Sequence, residues 1–369
     1  MPTRRSTPPQ SLSAHSGPVP DREAVDTAAA RPVRFGALGT SSFGGRRVLP
    51  AMTACPQTEL VAVGGRSPER SQRFADRFGC AGSSMAALLE RDDIDAVYIS
   101  LPPSLHGEWA ARALHAGKHV LVEKPIATTA AEARTVVRLA EDRDLVLREN
   151  FMFLHHPQHD AVAALIAEGR LGGLRSFRGA FCFPPLPTED IRYVPGLGGG
   201  ALLDAGVYPL RAAAMLLGPG LRVAGATARV RQSDGLDLSG QALLVSPSGV
   251  LASVEFGFEH AYGSSYSLWG EGAKLTVGRA FTPPAAYQPV LVLEEQDHVE
   301  KFTLPAADQL TASLAGVRRG RDRRWRCGLA PGGPVAAGRG RHDGTGRCGP
   351  RAGRARDRRG VADRAGAPL

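Results

Sequence analysis

The sequence predicts an α/β chain in two parts. The N-terminal part is a domain built on a parallel sheet with helices on both faces. The second is an α+β domain with an open, mainly antiparallel sheet. Three observations carry this reading. From Val33 to Asn150, short apolar runs alternate with amphipathic, helix-like stretches, the pattern of a parallel sheet buried on both sides. After about residue 152, strand-like runs follow one another through short connections, which favours antiparallel pairing. The length of 369 residues accommodates two domains with chain left over, at roughly 100 to 200 residues per domain.

Along the first part, VRFGALG reads as a buried strand, Gly39 to Gly44 as a small-residue turn and RRVLPAM as the start of a helix. LVAVGG (60–65) is a second strand. Ser67 and Pro68 then read as an N-cap with proline in the first turn of a helix carrying Phe74 and Phe78 on one face. DAVYISLP (95–102) is a strand, SLHGEWAARALHA a helix stopped at Gly117, and HVLVEKP (119–125) a further strand. Thr129 and Glu132 have the spacing of a capping box, and LVLREN (145–150) closes the series. In the second part a helix over 157–168 precedes the alternating RSFRGAFCF. A Gly- and Pro-rich loop (184–200) and a helix over 201–217 follow. The remaining strand-like runs are VAGATARV, GQALLVS, VLASVEFGF, SYSLWG, KLTV, VLVLEE and EKFTLP. The expected limits are a disordered extension at 1–31, a nucleotide-binding domain at 32–151, a substrate and oligomerisation domain at 152–310, and an unstructured Arg/Gly-rich tail at 311–369.

The formal charge of +9 suggests a polyanion partner until it is located. Residues 316–369 hold 15 Arg and 4 Asp with no Lys or Glu, a net of +11, which leaves the preceding 315 residues at −2. A basic binding surface on the folded body is therefore not expected, and neither is a nucleic-acid partner. Arg, Gly, Ala and Pro make up 40 of those 54 residues, as expected of GC-rich DNA read out of frame from near Leu314 to Val317. The alternative is a disordered Arg/Gly tail that touches nucleic acid. No run of 18 apolar residues occurs, so a membrane span is not expected. The five cysteines show no metal-ligand spacing, so no metal is expected, and their scatter fits a reducing cytoplasm. Residues 1–31 lack the apolar core of a signal peptide and read as an extension or an early start codon.

The turn Gly39-Thr40-Ser41-Ser42-Phe43-Gly44 is a G-x-S-x-x-G version of the dinucleotide fingerprint. Small residues there let backbone amides approach a pyrophosphate at a helix N-terminus. Alone it is only a tight strand-to-helix turn; a strand before it, a helix after it and a second strand some twenty residues on make it a Rossmann element. Where an NAD enzyme presents a carboxylate to the ribose, this chain has Gly64-Gly65-Arg66-Ser67. Arg66 can pair with a 2′-phosphate, which favours NADP(H) over NAD(H); otherwise it is a solvated loop charge. Lys124, in Glu123-Lys124-Pro125, falls at a carboxyl strand end, where ligands of such sheets sit. In the run from Gly198 to Pro209, Asp204 and Tyr208 lie four apart on one helical face, with glycines positioned to let the helix N-terminus approach a ligand. Read singly, Lys124 is a surface lysine and Tyr208 a core tyrosine. Read as a pair, they suggest a proton donor beside a charge that can polarise a carbonyl.

Together these motifs resemble the Gfo/Idh/MocA family, over about Val33 to Gln309. Within it, YISLPPSLHGEWAARALHAGKHVLVEKP, RENFMFLHHPQH, IRYVPGLGGGALLDAGVYPLRAA, FEHAYGSSYSLWG, AFTPP and QDHVE are similar to the NDP-hexose 3-ketoreductases of deoxysugar pathways in antibiotic-producing actinobacteria. The resemblance implies that NADPH delivers hydride to the 3-keto carbon of a dTDP-linked 3,4-diketo-2,6-dideoxyhexose. It implies Tyr208 as the acid and Lys124 as the group that stabilises charge on the same oxygen. It places Gly39, Ser41, Ser42, Gly44, Arg66, Ser100, Pro102, His106, Glu123, Lys124 and Asn150 at the cofactor, and Asp204, Tyr208 and Arg192 at the substrate. It also implies a homo-oligomer, dimer or tetramer, through the open sheet face, and a cis Lys124–Pro125 bond. Relatives continue past Gln309 with a helical region packed on the body. Other family activities stay open: a dehydrogenase of a free sugar, inositol or a trans-dihydrodiol, or a regulator that binds the dinucleotide without catalysis.

Overall fold

The computed structural model describes residues 31–315. The N-terminal sheet has six parallel strands: β1 (Val33–Leu38), β2 (Thr58–Gly65), β3 (Ala81–Ser84), β4 (Ala96–Ile99), β5 (His119–Val122) and β6 (Leu147–Glu149). Their order is β3-β2-β1-β4-β5-β6. The chain winds outward from β1 in both directions, so a crevice opens beyond the carboxyl ends of β1 and β4. Alternate residues face opposite sides. Leu38, Val97, Ile99, Val120 and Val122 pack against Trp109, Ala113 and Leu114 of α4 (His106–His115) and Val136 and Ala140 of α5 (Ala130–Asp142). Phe35, Ala37, Tyr98 and Leu121 face Val48, Leu49 and Met52 on the other side.

Helix termini follow the sequence signals. α1 (Leu49–Ala54) continues a π-helical turn, Gly44–Val48. In α2 (Pro68–Phe78), the Ser67 hydroxyl accepts from the Arg70 amide at 3.2 Å, and Gly79, at φ 66°, closes the helix. Thr129 accepts from the Glu132 amide at 3.2 Å, but the Glu132 carboxylate accepts from Thr128 rather than from the cap residue, so the box closes one residue early. The short pair β3 and α3 (Met85–Leu89) was not expected: AGSS carries no apolar alternation.

The second sheet has eight strands in the order β14-β13-β12-β11-β7-β10-β9-β8. In chain order they are β7 (Leu174–Cys182), β8 (Arg222–Val230), β9 (Asp237–Val245), β10 (Leu251–Gly257), β11 (Gly263–Gly270), β12 (Lys274–Gly278), β13 (Val290–Glu294) and β14 (Val299–Thr303). Neighbours are antiparallel except β7 and β10, which run parallel with Leu251 opposite Ser176. The exception arises because a helix and a hairpin intervene between these two strands. One face packs on α6 (Pro157–Ala167) and α7 (Val207–Leu217), burying Phe177, Phe181, Val254, Phe256, Tyr266 and Leu268. The opposite face is open, with Val223, Leu243, Leu251 and Trp269 exposed. The run Pro195–Leu217 has the length and hydropathy of a membrane span. It is also where Tyr208, Pro209, Ala212 and Ala213 pack under this sheet, and it carries Asp204 and Arg211.

At the C-terminal end the expected boundary needs correction. α8 (Gln309–Ala315) takes in 311–315, so the expected unstructured tail does not begin at 311. Leu310 and Leu314 enter the first domain's core beside Phe35 and Met52. Their spacing of four is that of one helical face, which the adjoining Arg/Gly composition obscured. The expectations for residues 1–30 and 316–369, including the reading-frame shift, lie outside the described residues.

Candidate active site

β1 delivers the fingerprint turn to the crevice. Gly39 has φ 103°, and a Cβ there would stand 2.5 Å from the Ser100 carbonyl oxygen, so the turn can pass β4 only with glycine. The Ser41 hydroxyl accepts from the Gly44 amide at 2.9 Å and also contacts the Ser100 hydroxyl. Ser42 and Phe43 are exposed at the open end of the helix, and among the described residues their amides meet no backbone carbonyl outside it. These free first-turn donors fit an anionic dinucleotide phosphate. At the end of β2, Arg66 is exposed, and Arg70 lays its guanidinium on the Thr40 carbonyl at 2.8 Å. Pro102 begins the turn after β4, its carbonyl accepting from Leu105 at 2.9 Å.

The side chains of three residues expected at the cofactor are engaged in hydrogen bonds within the protein. His106 is 1% exposed, and its two ring nitrogens lie 2.7 and 2.8 Å from the carbonyl oxygens of Pro125 and Leu101. It ties two turns together beneath the crevice, and burial lowers its pKa. The Glu123 carboxylate accepts from Tyr98 and from Asn150, both at 2.8 Å, and burial pushes its pKa up. Asn150 is buried in that same network. Side chains alternate along an extended segment, so Glu123 turns into the packing while Lys124 turns toward the cleft. The Lys124–Pro125 peptide is cis.

The Lys124 ammonium, with a side chain 14% exposed, donates to the Asp204 carbonyl at 2.8 Å and to its carboxylate at 2.6 Å. The second carboxylate oxygen accepts from Arg192 Nε at 2.8 Å, and Arg192 also pairs with Asp190. Burial opposes charge on both members of the central pair. Asp204 outweighs it for Lys124, whose pKa is raised; Lys124 and then Arg192 outweigh it for Asp204, whose pKa is lowered. Both are charged at neutral pH.

Asp204 lies in a second π-helical turn, Leu202–Gly206, which leads into α7. Both helix starts that face the crevice thus open with the wide turn often found at functional sites. The Tyr208 ring is enclosed by Phe151, Phe153, Phe181 and Phe281, with centroids 4.8 to 5.9 Å away, and Lys124 Nζ lies 5.2 Å from the ring centre. The residue is 7% exposed, and its hydroxyl has no hydrogen-bond partner among the described residues. Burial raises its pKa, with Lys124 working against that rise. A phenol held protonated beside an ammonium can donate a proton to an oxygen on which negative charge develops.

The glycines before Asp204 serve packing more than ligand approach. A Cβ on Gly198 would stand 2.9 Å from Pro103 and Thr128 side-chain carbons, and one on Gly199 would stand 2.5 Å from the Arg192 carbonyl oxygen. The sequence reading missed Asp237, which accepts from the Leu202 amide at 2.5 Å, and Glu149, which accepts from Ile126 at 2.8 Å just past Lys124. Neither has a local signal, because its partner is far away in the chain. Away from the crevice, Cys182, Glu255 and His260 bring one ligand-type atom each within 4.8 Å of one another, a grouping that their separation in sequence also conceals.

The sheet order, the switch-point turn and the lysine–tyrosine pair describe a two-domain oxidoreductase linked to a nicotinamide dinucleotide. Residues 33–151 match the oxidoreductase family with the NAD-binding Rossmann fold, and residues 159–276 match the GFO/IDH/MocA C-terminal domain. The chain belongs to the Gfo/Idh/MocA family. It is 51% identical over 291 residues to a dTDP-3,4-didehydro-2,6-dideoxy-alpha-D-glucose 3-reductase of Saccharopolyspora spinosa, covering 78% of this chain and 87% of that one. It is 50% identical to the reductase of the same name from Actinomadura kijaniata, covering 77% and 86%. The crystal structure of KijD10, a 3-ketoreductase of Actinomadura kijaniata in complex with NADP and TDP-benzene, superposes with a TM-score of 0.76 at 48% identity, covering 80% of this chain and 93% of that one. KijD10 has also been crystallised with a lysine changed to Ala or Glu and with a tyrosine changed to Phe. Those two residues are the same number of positions apart as Lys124 and Tyr208.

Proposed function

We propose that this chain uses NADPH, in preference to NADH, to reduce the 3-keto group of a dTDP-linked 3,4-diketo-2,6-dideoxyhexose in deoxysugar biosynthesis. The observation that carries the reading is the convergence of Lys124, Asp204 and Tyr208 beyond the carboxyl end of β5, on a chain about half identical to reductases of that name. NADPH supplies the hydride when bound. Gly39, Ser41, Ser42, Gly44 and Ser100 form the turn that would receive its pyrophosphate, with Pro102 beside them. Arg66 would meet the 2′-phosphate, and Arg70 stands four residues on, its guanidinium on the Thr40 carbonyl at 2.8 Å.

Tyr208 gives its phenolic proton to the reduced oxygen. Lys124 stabilises charge on that oxygen, and such a positioned acid contributes about 10²- to 10⁴-fold in rate. Asp204 holds Lys124 in place until substrate arrives, and Arg192 sits at the mouth, 41% exposed, where it can reach a substrate oxygen or phosphate. His106, Glu123 and Asn150 act indirectly, by fixing the turns on which Lys124 stands. The exposed face of the second sheet suits a homo-oligomer, and the cytoplasm suits the free, buried Cys55 and Cys182. The test follows NADPH absorbance in both directions: oxidation of NADPH by the dTDP-linked diketo sugar, and reduction of NADP by free xylose or a trans-dihydrodiol. Turnover of the nucleotide sugar alone is expected; turnover of a free sugar or diol alone would defeat the reading.

A further inference from the structure

We propose that Ser313 of α8 is a positioning residue for Lys124, acting through Asn150 and Glu123; the proposal rests on the reading of Lys124 as catalytic. The chain of hydrogen bonds has one direction only. Arg148 can only donate, and it donates through Nη1 to the Ser313 carbonyl at 2.8 Å and through Nη2 to the Ser313 hydroxyl oxygen. With that oxygen engaged as an acceptor, Ser313 turns its own proton to Asn150 Oδ1 at 3.2 Å. The Asn150 amide is thereby oriented with Nδ2 toward Glu123, to which it donates at 2.8 Å. Tyr98 donates to the same carboxylate oxygen at 2.8 Å.

These groups are not bystanders on a surface. Ser313, Asn150 and Arg148 are all buried, and a buried polar group left without its partner is costly, so each member constrains the next. The backbone closes on the same point: the Asn150 amide donates to the Val122 carbonyl at 2.8 Å and the Glu123 amide to the Ile99 carbonyl at 3.0 Å. On the other side of Lys124-Pro125, the Ile126 amide is held by the Glu149 carboxylate at 2.8 Å. The segment that aims Lys124 is therefore clamped by two consecutive residues from the end of β6, and one of them takes its orientation from α8. The C-terminal helix contributes to the geometry of the cleft as well as to stability.

The chain has four lysines, Lys118, Lys124, Lys274 and Lys301, which allows a test that needs no substrate. In the full-length chain, amine labelling with acetic anhydride is followed residue by residue by mass spectrometry. Ser313→Ala should raise the labelling rate of Lys124 by about threefold to tenfold, the scale of one buried hydrogen bond. Lys118 sits at the other end of β5, bonded to the carbonyls of Arg91 and Ile94, and reports on the integrity of the domain. Its rate should stay at the wild-type value. Ser313→Thr, which keeps the hydroxyl, should restore Lys124, and Asn150→Ala should act like Ser313→Ala. With the diketo sugar, Ser313→Ala should lower kcat while KM holds. Wild-type labelling of Lys124 in Ser313→Ala, or a parallel rise at Lys118, would overturn the proposal. A wild-type chain that does not reduce the nucleotide sugar would defeat the functional reading alone, because the labelling is read without it.

Discussion

Lys118 and Lys124 stand just beyond opposite ends of one strand, β5, and the two ends are organised differently. Lys118 donates to the carbonyls of Arg91 and Ile94 at 2.6 and 3.0 Å, so its charge is met by backbone of its own domain. Beside it, Asp95 accepts from both Arg31 and Arg34. Lys124 instead reaches a carboxylate carried by the second domain, and on the proposed function a substrate oxygen would compete for the same ammonium. The amino ends of the strands satisfy their charges locally and for good. The carboxyl ends hold theirs in pairs that a ligand can redistribute, which is why parallel sheets bind ligands there.

The largest effect should come from exchanging these roles. Lys124→Ala should lower turnover by about 10²- to 10⁴-fold with little change in melting temperature, while Lys118→Ala should lower the melting temperature and leave turnover intact. Matching losses of turnover would break the distinction between the two ends. The next effect concerns packing. Leu314→Ala empties a fully buried site between α8 and the first domain, and denaturant unfolding should show a loss of about 2 to 5 kcal/mol. A loss well below that would show α8 to be loosely seated.

Arg66→Asp should weaken NADPH use by about one to three orders of magnitude and improve NADH relative to it, since attraction to a 2′-phosphate becomes repulsion. An unchanged ratio of the two cofactors would remove Arg66 from the site. The smallest effect is at the amino ends. Burial opposes the Asp95 charge, but hydrogen bonds from Arg34 and Arg31 outweigh it and hold its pKa well below the usual value. A depressed carboxylate stabilises the fold above its unfolded pKa of about 3.9 and loses that contribution as pH falls through the folded value. The stability gap between the wild type and Asp95→Asn should therefore be constant near neutrality and shrink below about pH 4. A gap that widened on acidification would contradict this assignment.

Strand and helix periodicity revealed both sheets apart from the edge strand β3, because the central strands of the first are buried on both faces and most of the second alternate. The same patterns placed Lys124 and Tyr208 correctly along their elements, one at a carboxyl strand end and the other on the inner face of the long helix. They could not say which way a side chain leaves a turn. His106, Glu123 and Asn150 sit at the right height in the sheet, yet they face into the protein, because neighbouring residues on an extended segment alternate sides and only packing decides which side is inside. Asp237 and Ser313 were invisible for another reason: each completes a hydrogen bond with a residue dozens to over a hundred positions away, and sequence spacing carries no trace of such a pair.

On the proposed mechanism Tyr208 donates the proton at the carbonyl that accepts hydride. Its most direct test is a single-turnover measurement of NADPH oxidation at neutral pH, with saturating dTDP-linked diketo sugar, for Tyr208→Phe against the wild type. This substitution removes one hydroxyl and leaves the ring among its four phenylalanines. The rate should fall by about 10²- to 10⁴-fold with NADPH affinity unchanged. A rate near that of the wild type would show that another group supplies the proton, and the assignment of Tyr208 would fall.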